Sequence, residues 1–339
     1  MQTLMKYSRG VRALVAGAAL AVSSGAMANT KQTLCVWDIL GAQGDVFNMM
    51  KDYRLAAAKW GANFELRPYT DEKIASEDFK AGQCDAVVMT GLRGRQFNAF
   101  TGSLDAIGAL PSYAAQKQAL SMLAAPNAAK FMTSGNYEVA GITPMGAAFL
   151  FVNDRHINTV GKLSGKKIAV LDHDKAQAKM VQKVGAQPVA SDVTNFAGKF
   201  NNGSVDIIGA PAAAFKPLEL FKGLGTKGAI ADFPVVQLTL QIFIRADKFP
   251  EGFGQKSREY VQSQYDNAMK LITQAEKEID KKYWMQIPDA DREKYVVMLR
   301  ESRISLTNEG IYDKRAMSLL RNVRCKVSPA DAECATKLE

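Results

Sequence analysis

The sequence predicts an α/β protein of two interleaved lobes, each built on a mostly parallel sheet flanked by helices. Three observations predict it. Leu34 to Met89 reads strand–helix–strand–helix–strand, and the same rhythm restarts at Lys167 and runs to Lys222. Apolar segments at Tyr137–Ile142, Ala147–Val152 and Gln237–Ile244 are placed to cross between the lobes. No low-complexity linker divides the chain, so the lobes are not strung in series.

The elements follow in order. Leu34–Trp37 is a short apolar strand. Asp45–Trp60 carries Val46, Met49, Met50, Tyr53, Ala57 and Trp60 at helical spacing, and Gly61 ends that helix. Phe64 and Leu66 alternate within a strand over Asn63–Tyr69. Asp71–Ala81 is helical, and Asp85–Met89 is a buried strand. Tyr113–Met132 reads as one helix. The second series gives a strand at Lys167–Leu171, helices at Lys175–Val184 and Val193–Phe200, a strand at Val205–Gly209 and a helix at Ala213–Lys222. Arg258–Trp284 reads as one long helix, with Val261, Tyr265, Met269, Ile272, Ala275 and Ile279 on one face. A charged helical tail follows. The expected division is a leader at 1–28, a first lobe at 29–146, a second lobe at 147–240 and a return to the first lobe at 241–339.

The 339 residues carry 43 Lys+Arg against 34 Asp+Glu, 47% apolar residues, two histidines and four cysteines. That is globular composition, long enough for about two domains. Two histidines build no multi-His metal site, and no HExxH occurs, so no metal is expected. At the N-terminus Lys6, Arg9 and Arg12 precede an apolar run from Ala13 to Val22, and Ala26-Met27-Ala28 supplies a small-residue cleavage site. This is the pattern of a secretory signal peptide cut after Ala28, which places the mature chain in the periplasm. An uncleaved anchor is the rival reading; the apolar run is shorter than the ~20 residues of a spanning helix. With the leader go three positive charges, and the excess of +9 falls to +6. No basic stripe with interleaved aromatics stands out, so no nucleic-acid partner is expected.

All four cysteines lie in the mature chain. An even count in an oxidising compartment points to disulfides, for which four cysteines allow three pairings. Cys325–Cys334 would staple the tail, and Cys35–Cys84 would join two neighbouring strand starts. A catalytic cysteine is the rival, but no activating base stands nearby.

Candidate ligand-binding residues cluster where strands end, because open α/β sheets collect ligands at the carboxyl ends of their strands. Trp37 and Asp38 sit at the carboxyl end of the first strand; core packing is the alternative for Trp37. Thr90 precedes Gly91-Leu92-Arg93-Gly94-Arg95, where glycines let a backbone approach a ligand and Arg93 or Arg95 could grip a carboxylate or phosphate. The alternative is a solvated loop or an ion pair with Asp85 or Asp105. Asp172 and His173 hold the matching position in the second series, with Asp174 expected to cap the following helix. Phe149 lies on a crossing segment. Gly223-Leu224-Gly225-Thr226-Lys227-Gly228 matches G-x-G-x-x-G but lacks a preceding strand and a following helix, so it reads as a loop and no cofactor is expected. Asn202-Gly203-Ser204 reads as a tight turn. No nucleophile elbow is present, and no catalytic residue is assigned.

Several segments resemble the extracytoplasmic solute receptors of TRAP transporters. Phe79-Lys80-Ala81-Gly82-Gln83-Cys84-Asp85 looks like their L-x-x-G-x-x-D step. Leu163-Ser164-Gly165-Lys166-Lys167-Ile168 looks like L-x-G-K-K-I-R, Gly185-Ala186-Gln187-Pro188-Val189 like G-A-x-P-V, and Phe200 to Asp206 like L-x-x-G-x-V-D. The landmarks fall in the receptors' order over roughly residues 79–245. The resemblance implies a type II, two-lobed periplasmic binding protein that is monomeric, is not an enzyme, and delivers a small solute, an anion among the candidates, to membrane transporter subunits. One departure matters. Those receptors carry an arginine after the K-K-I step that clamps the ligand carboxylate, and here the position is Ala169. Either Arg93 or Arg95 replaces that clamp, or the ligand is not an organic acid. Over the whole mature chain the sequence also resembles exported proteobacterial solute-binding proteins of AdeT type, relatives of which have been labelled efflux components linked to aminoglycoside resistance. A pump needs several spanning helices, and after the leader no run of ~18 apolar residues occurs. The rivals carried forward are an efflux-associated protein that binds aminoglycosides, which asks for a cleft rich in carboxylates, a periplasmic enzyme on the same fold, and a scaffold with no ligand.

Overall fold

The computed structural model describes residues 31–336 and 338–339, and Lys31–Glu339 form one unit. The expected leader and its cleavage site lie outside the described residues. Ten strands form one sheet: β1 (Lys31–Trp37), β2 (Asn63–Tyr69), β3 (Ala86–Thr90), β4 (Thr133–Ser134), β5 (Tyr137–Val152), β6 (Lys167–Leu171), β7 (Gln187–Ser191), β8 (Ile207–Pro211), β9 (Ala229–Arg245) and β10 (Trp284–Met285). Their order is β2-β1-β3-β9-β5-β8-β6-β7, with β10 on β9 and β4 on β5.

The two ends are parallel. β1 pairs in parallel with β2 and β3, and β6 with β7 and β8. Each end therefore has the βαβ pattern that the sequence predicts. The centre is antiparallel: β9 runs against β3, β5 against β9, and β8 against β5. The long strands β5 and β9 thus weld both ends into a single mixed sheet. A large core packs the β1–β3 end around Leu34, Val88, Phe79 and Phe243. Separate clusters serve the other end, one around Phe151, Phe200 and Phe215 and one around Val170, Val181 and Ile207.

The central strands correct the sequence expectation. Tyr137–Ile142 and Ala147–Val152 are one strand, not two, and the predicted Gln237–Ile244 strand begins eight residues earlier, at Ala229. Pro144 and Pro234 mask this continuity. The β5–β9 pairing shifts register between Pro144 and Gly146 and on both sides of Phe149, which stands opposite Pro234. Bulges are where a strand tolerates proline, and they bend it. Gly146 takes φ +106 within that bulge, a conformation that favours glycine.

The helices differ in detail. The long helix expected over Arg258–Trp284 is two helices, Phe253–Ser263 and Tyr265–Lys277, broken at Gln264, followed by the short strand β10. The long C-terminal helix is Asp289–Asn308. Tyr113–Met132 breaks after Ala124, because Pro126 starts a new short turn. Ala213–Lys222 is mostly loop, ending in the single turn Phe221–Leu224. That turn precedes Gly225–Gly228 and strand β9 follows, so the context of a dinucleotide fingerprint is not met. Asn202 Oδ1 accepts from Ser204 N at 3.0 Å, which makes the predicted turn.

Both disulfides form the pairs Cys35–Cys84 and Cys325–Cys334. The first joins β1 to the residue preceding β3 by two, and both its cysteines are fully buried.

Candidate functional site: a cleft at the strand tips

A cleft of about 510 Å³ opens where β1, β3, β6 and β8 end and where the bulged middles of β5 and β9 pass. Trp37, Asp38 and Thr90 line it from the first end of the sheet; Ala169 and Leu171 line it from β6. Met145 and Val236 come from the crossing strands, and the helix Tyr265–Lys277 contributes Leu271 and Ile272. Ligand clefts of this size at strand tips are the ordinary place for a small molecule in an α/β fold.

The sequence candidates divide. Trp37, Asp38 and Thr90 line the cleft; Arg93, Arg95, Phe149, Asp172 and His173 do not. Trp37 is 3% exposed, and its indole Nε1 has no hydrogen-bond partner among the described residues. Asp38 spends its carboxylate on the loop beneath it. It accepts from Leu40 N at 2.8 Å, from Val46 N at 2.9 Å and from Phe47 N at 3.2 Å, and so holds the start of the helix Asp45–Ala58. Thr90 caps the next turn, its Oγ1 accepting from Arg93 N at 3.1 Å.

The two arginines have partners other than Asp85 or Asp105. Arg93 is buried against Glu72, with Nε donating to Oε2 at 3.5 Å, while Glu72 Oε1 accepts from Thr90 N at 2.7 Å. Burial raises the Glu72 carboxyl above its ordinary range. Arg95 Nη1 donates to Asp174 Oδ1 at 2.9 Å, its Nε donates to Gly102 O, and its guanidinium lies 5.1 Å from the Tyr312 ring. Asp174 also caps the helix Lys175–Lys183 as predicted, accepting from Ala176 N at 3.0 Å. Asp85 instead accepts from Thr33 N at 2.8 Å.

Phe149 packs edge-on against Trp284 at 5.1 Å, in the core of the second end. His173 Nδ1 lies 3.4 Å from Asp172 Oδ1, and its Nε2 is buried with no partner among the described residues. Burial, with the Arg93 charge second, pushes His173 below the usual imidazole value.

Sequence reasoning missed Asp105 as a cleft residue. Its Oδ1 accepts from Thr239 Oγ1 at 2.6 Å and its Oδ2 from Thr239 N at 3.2 Å, with 1% of its surface exposed. Burial pushes its carboxyl up to about 7 against those hydrogen bonds. Nothing local in Ser103-Leu104-Asp105 signals this, because the partner is on β9. Among the described residues no group of three or more His, Cys, Asp or Glu could hold a metal ion, and no helix is long and apolar enough to cross a membrane.

The model of the family described as "Solute-binding protein AdeT 1/2" matches residues 54–339. A relative named "Probable solute-binding protein AdeT1", from Acinetobacter baumannii, is 52% identical over 300 residues, 88% of this chain and 99% of the relative. Among solved structures, a TRAP periplasmic solute-binding protein of Haemophilus influenzae with bound L-gulonate superposes with a TM-score of 0.72 at 11% identity, over 87% of this chain and 98% of that one. A TRAP protein of Roseobacter denitrificans with bound β-D-glucuronate gives 0.69 at 12% identity, over 86% and 99%. These structures show that the chain has the TRAP-receptor fold, with its mixed α/β sheet. By the family match and the 52% identity, the chain belongs to the AdeT 1/2 family of solute-binding proteins.

Proposed function

We propose that this protein is exported to the periplasm, loses its leader after Ala28, and binds a small solute in the cleft for delivery to a membrane transporter. Residues 29–146 and 241–339 form one lobe and 147–240 the other, with β5 and β9 as the hinge and with Ile279 and Trp284 crossing over to pack in the second lobe's core. The solute touches both lobes, favours the closed arrangement by its differential affinity for it, and the closed form is what the membrane partner recognises. The chain works as a monomer and without catalysis.

One observation carries this reading. The cleft is lined from both ends of the sheet at once, by Trp37 and Thr90 at the carboxyl ends of β1 and β3 and by Ala169 and Leu171 on β6, with the bulged strands between them. A solute seated there bridges the parts that a hinge would move. Family membership supports the same reading.

The aminoglycoside reading asks for carboxylates free to meet a polycation. Of the lining acids, Asp38, Asp105, Asp174 and Glu278 are already bonded within the protein, Glu278 to Lys216, and Asp45 stands exposed. Native mass spectrometry of the protein as purified, followed by a thermal-shift panel of sugars, organic acids, amino acids, apolar compounds and aminoglycosides, tests the proposal. A ligand that binds only the folded state raises the melting point by mass action. The expected result is stabilisation by one compound class without its conversion. Conversion of the compound, or no stabilisation by any class, contradicts the reading.

A further inference from the structure

We infer that the solute is an uncharged, predominantly apolar molecule with a hydrogen-bond acceptor that meets Trp37. The inference rests on the reading of the cleft as the solute site and adds the ligand class to it.

The walls supply the first reason. Met145, Leu171, Val236, Leu238, Leu271 and Ile272 face the cleft from four separate elements, so apolar surface surrounds the space. A ligand that buries apolar area there gains the hydrophobic term, whereas a sugar acid would leave its hydroxyls without partners along these walls.

The charges supply the second. Ala169, at the position where the resembling receptors carry an arginine, lines the cleft and offers no charge. Arg93 and Arg95 do not line it; Glu72 and Asp174 pair with them, and the Nη2 of each that has no partner among the described residues is buried outside the lining. Among the described residues the one basic side chain in the lining is Lys216, paired with Glu278. A carboxylate placed in the cleft would thus give up water with no free cation to meet it, beside Asp38, Asp105 and Asp174. A polycation fares no better, because the lining acids other than Asp45 are bonded internally. Asp45 is exposed in the first turn of its helix, where the helix dipole already favours its own charge.

The third reason is the unpaired donor. Trp37 Nε1 is buried and without a partner, and its residue forms part of the wall. Buried indole N–H groups ordinarily find an acceptor. A carbonyl, ether or hydroxyl oxygen on an otherwise apolar solute would satisfy it.

The test uses 1-N-phenylnaphthylamine, an uncharged apolar fluorophore, titrated into the mature protein. The proposal expects saturable fluorescence enhancement that 1-naphthylmethanol displaces and that succinate, glucuronate and kanamycin do not. Ala169→Arg should weaken probe binding at least tenfold. Leu271→Glu changes a half-exposed residue at the mouth; it should weaken the probe several-fold while thermal melting stays as in the wild type, which separates a lost site from a lost fold. Trp37→Phe should reduce affinity for 1-naphthylmethanol more than for naphthalene. Stabilisation by succinate or glucuronate with no probe binding overturns the ligand class and leaves the solute cleft standing. Kanamycin-only stabilisation does the same in favour of a polycation. Probe binding that ignores both Ala169→Arg and Leu271→Glu overturns the inference, because the probe then sits elsewhere. Silence of every compound overturns both the ligand class and the cleft as a solute site.

Discussion

Arg95 on the first end of the sheet donates to Asp174 on the second at 2.9 Å, with side-chain exposures of 13% and 2%. The same carboxylate caps the helix Lys175–Lys183. One acid therefore joins a local task, holding a helix start, to a long-range one, tying together two segments 79 residues apart. Lys179–Glu309 and Lys183–Glu301 add exposed pairs from the same helix to the C-terminal region.

Removing one partner of a buried pair leaves the other uncompensated. Arg95→Gln should therefore destabilise the protein by about 3 kcal/mol. Asp174→Asn should cost less than Asp174→Ala, because asparagine keeps the helix cap. The double variant Arg95→Gln/Asp174→Asn should cost less than the two single changes together, because they share one interaction. Urea denaturation of the four variants measures all three relations.

Asp105 makes stability depend on pH. Its folded carboxyl titrates near 7, while an unfolded aspartate titrates near ~4. Between those values the folded state holds the extra proton, so this contribution is complete below pH ~4 and is lost as pH rises to about 7. Asp105→Asn should remove that slope, and its stability relative to wild type should improve across the window by up to about 4 kcal/mol. The Arg95 charge, Asp174 and the Thr239 hydrogen bonds act on the same carboxyl, so the window should move upward in Arg95→Gln. Unfolding free energies at a series of pH values test both statements.

The two disulfides close loops of very different length, with sequence separations of 49 and 9. Chain entropy then predicts that Cys35→Ala/Cys84→Ala costs about 4 kcal/mol and Cys325→Ala/Cys334→Ala about 3 kcal/mol. The first pair should cost somewhat more still, because both its cysteines are buried in the core. Guanidinium denaturation of the two double variants gives the ranking.

Much of this was legible in the residues. Cys35 and Cys84 could be paired because each stood at the start of a strand and the two strands read as neighbours. Asp174 could be read as a cap because a helix pattern follows it directly. Other features were hidden for physical reasons. Pro144 and Pro234 look like strand breakers, and only pairing across the sheet shows that they sit in bulges. β7 (Gln187–Ser191) contains Pro188 and lies at the sheet edge, so its alternation is faint. Arg93 and Arg95 were correctly placed after a strand, but Glu72 and Asp174 reach them through the tertiary fold, and that turned two candidate ligand groups into internal ion pairs.

Arg324 anchors the C-terminal tail. It donates to both oxygens of Glu333 at 2.6 and 2.8 Å and to Ala109 O at 2.8 Å, close to Ile107, which lines the cleft. Arg324→Met should cost about 3 kcal/mol, since it leaves the buried Glu333 with Arg303 Nη2, at 3.7 Å, as its remaining cationic partner. Arg324→Met/Glu333→Leu should recover part of that loss, and thermal melting compares the two.

A crystal structure of the mature protein with its solute bound tests the central claim most directly. Density is expected between Trp37 and Ala169, touching both ends of the sheet, with the indole Nε1 within hydrogen-bond distance of a ligand oxygen. A ligand bound outside this cleft, or a cleft filled by the protein's own side chains, would contradict it.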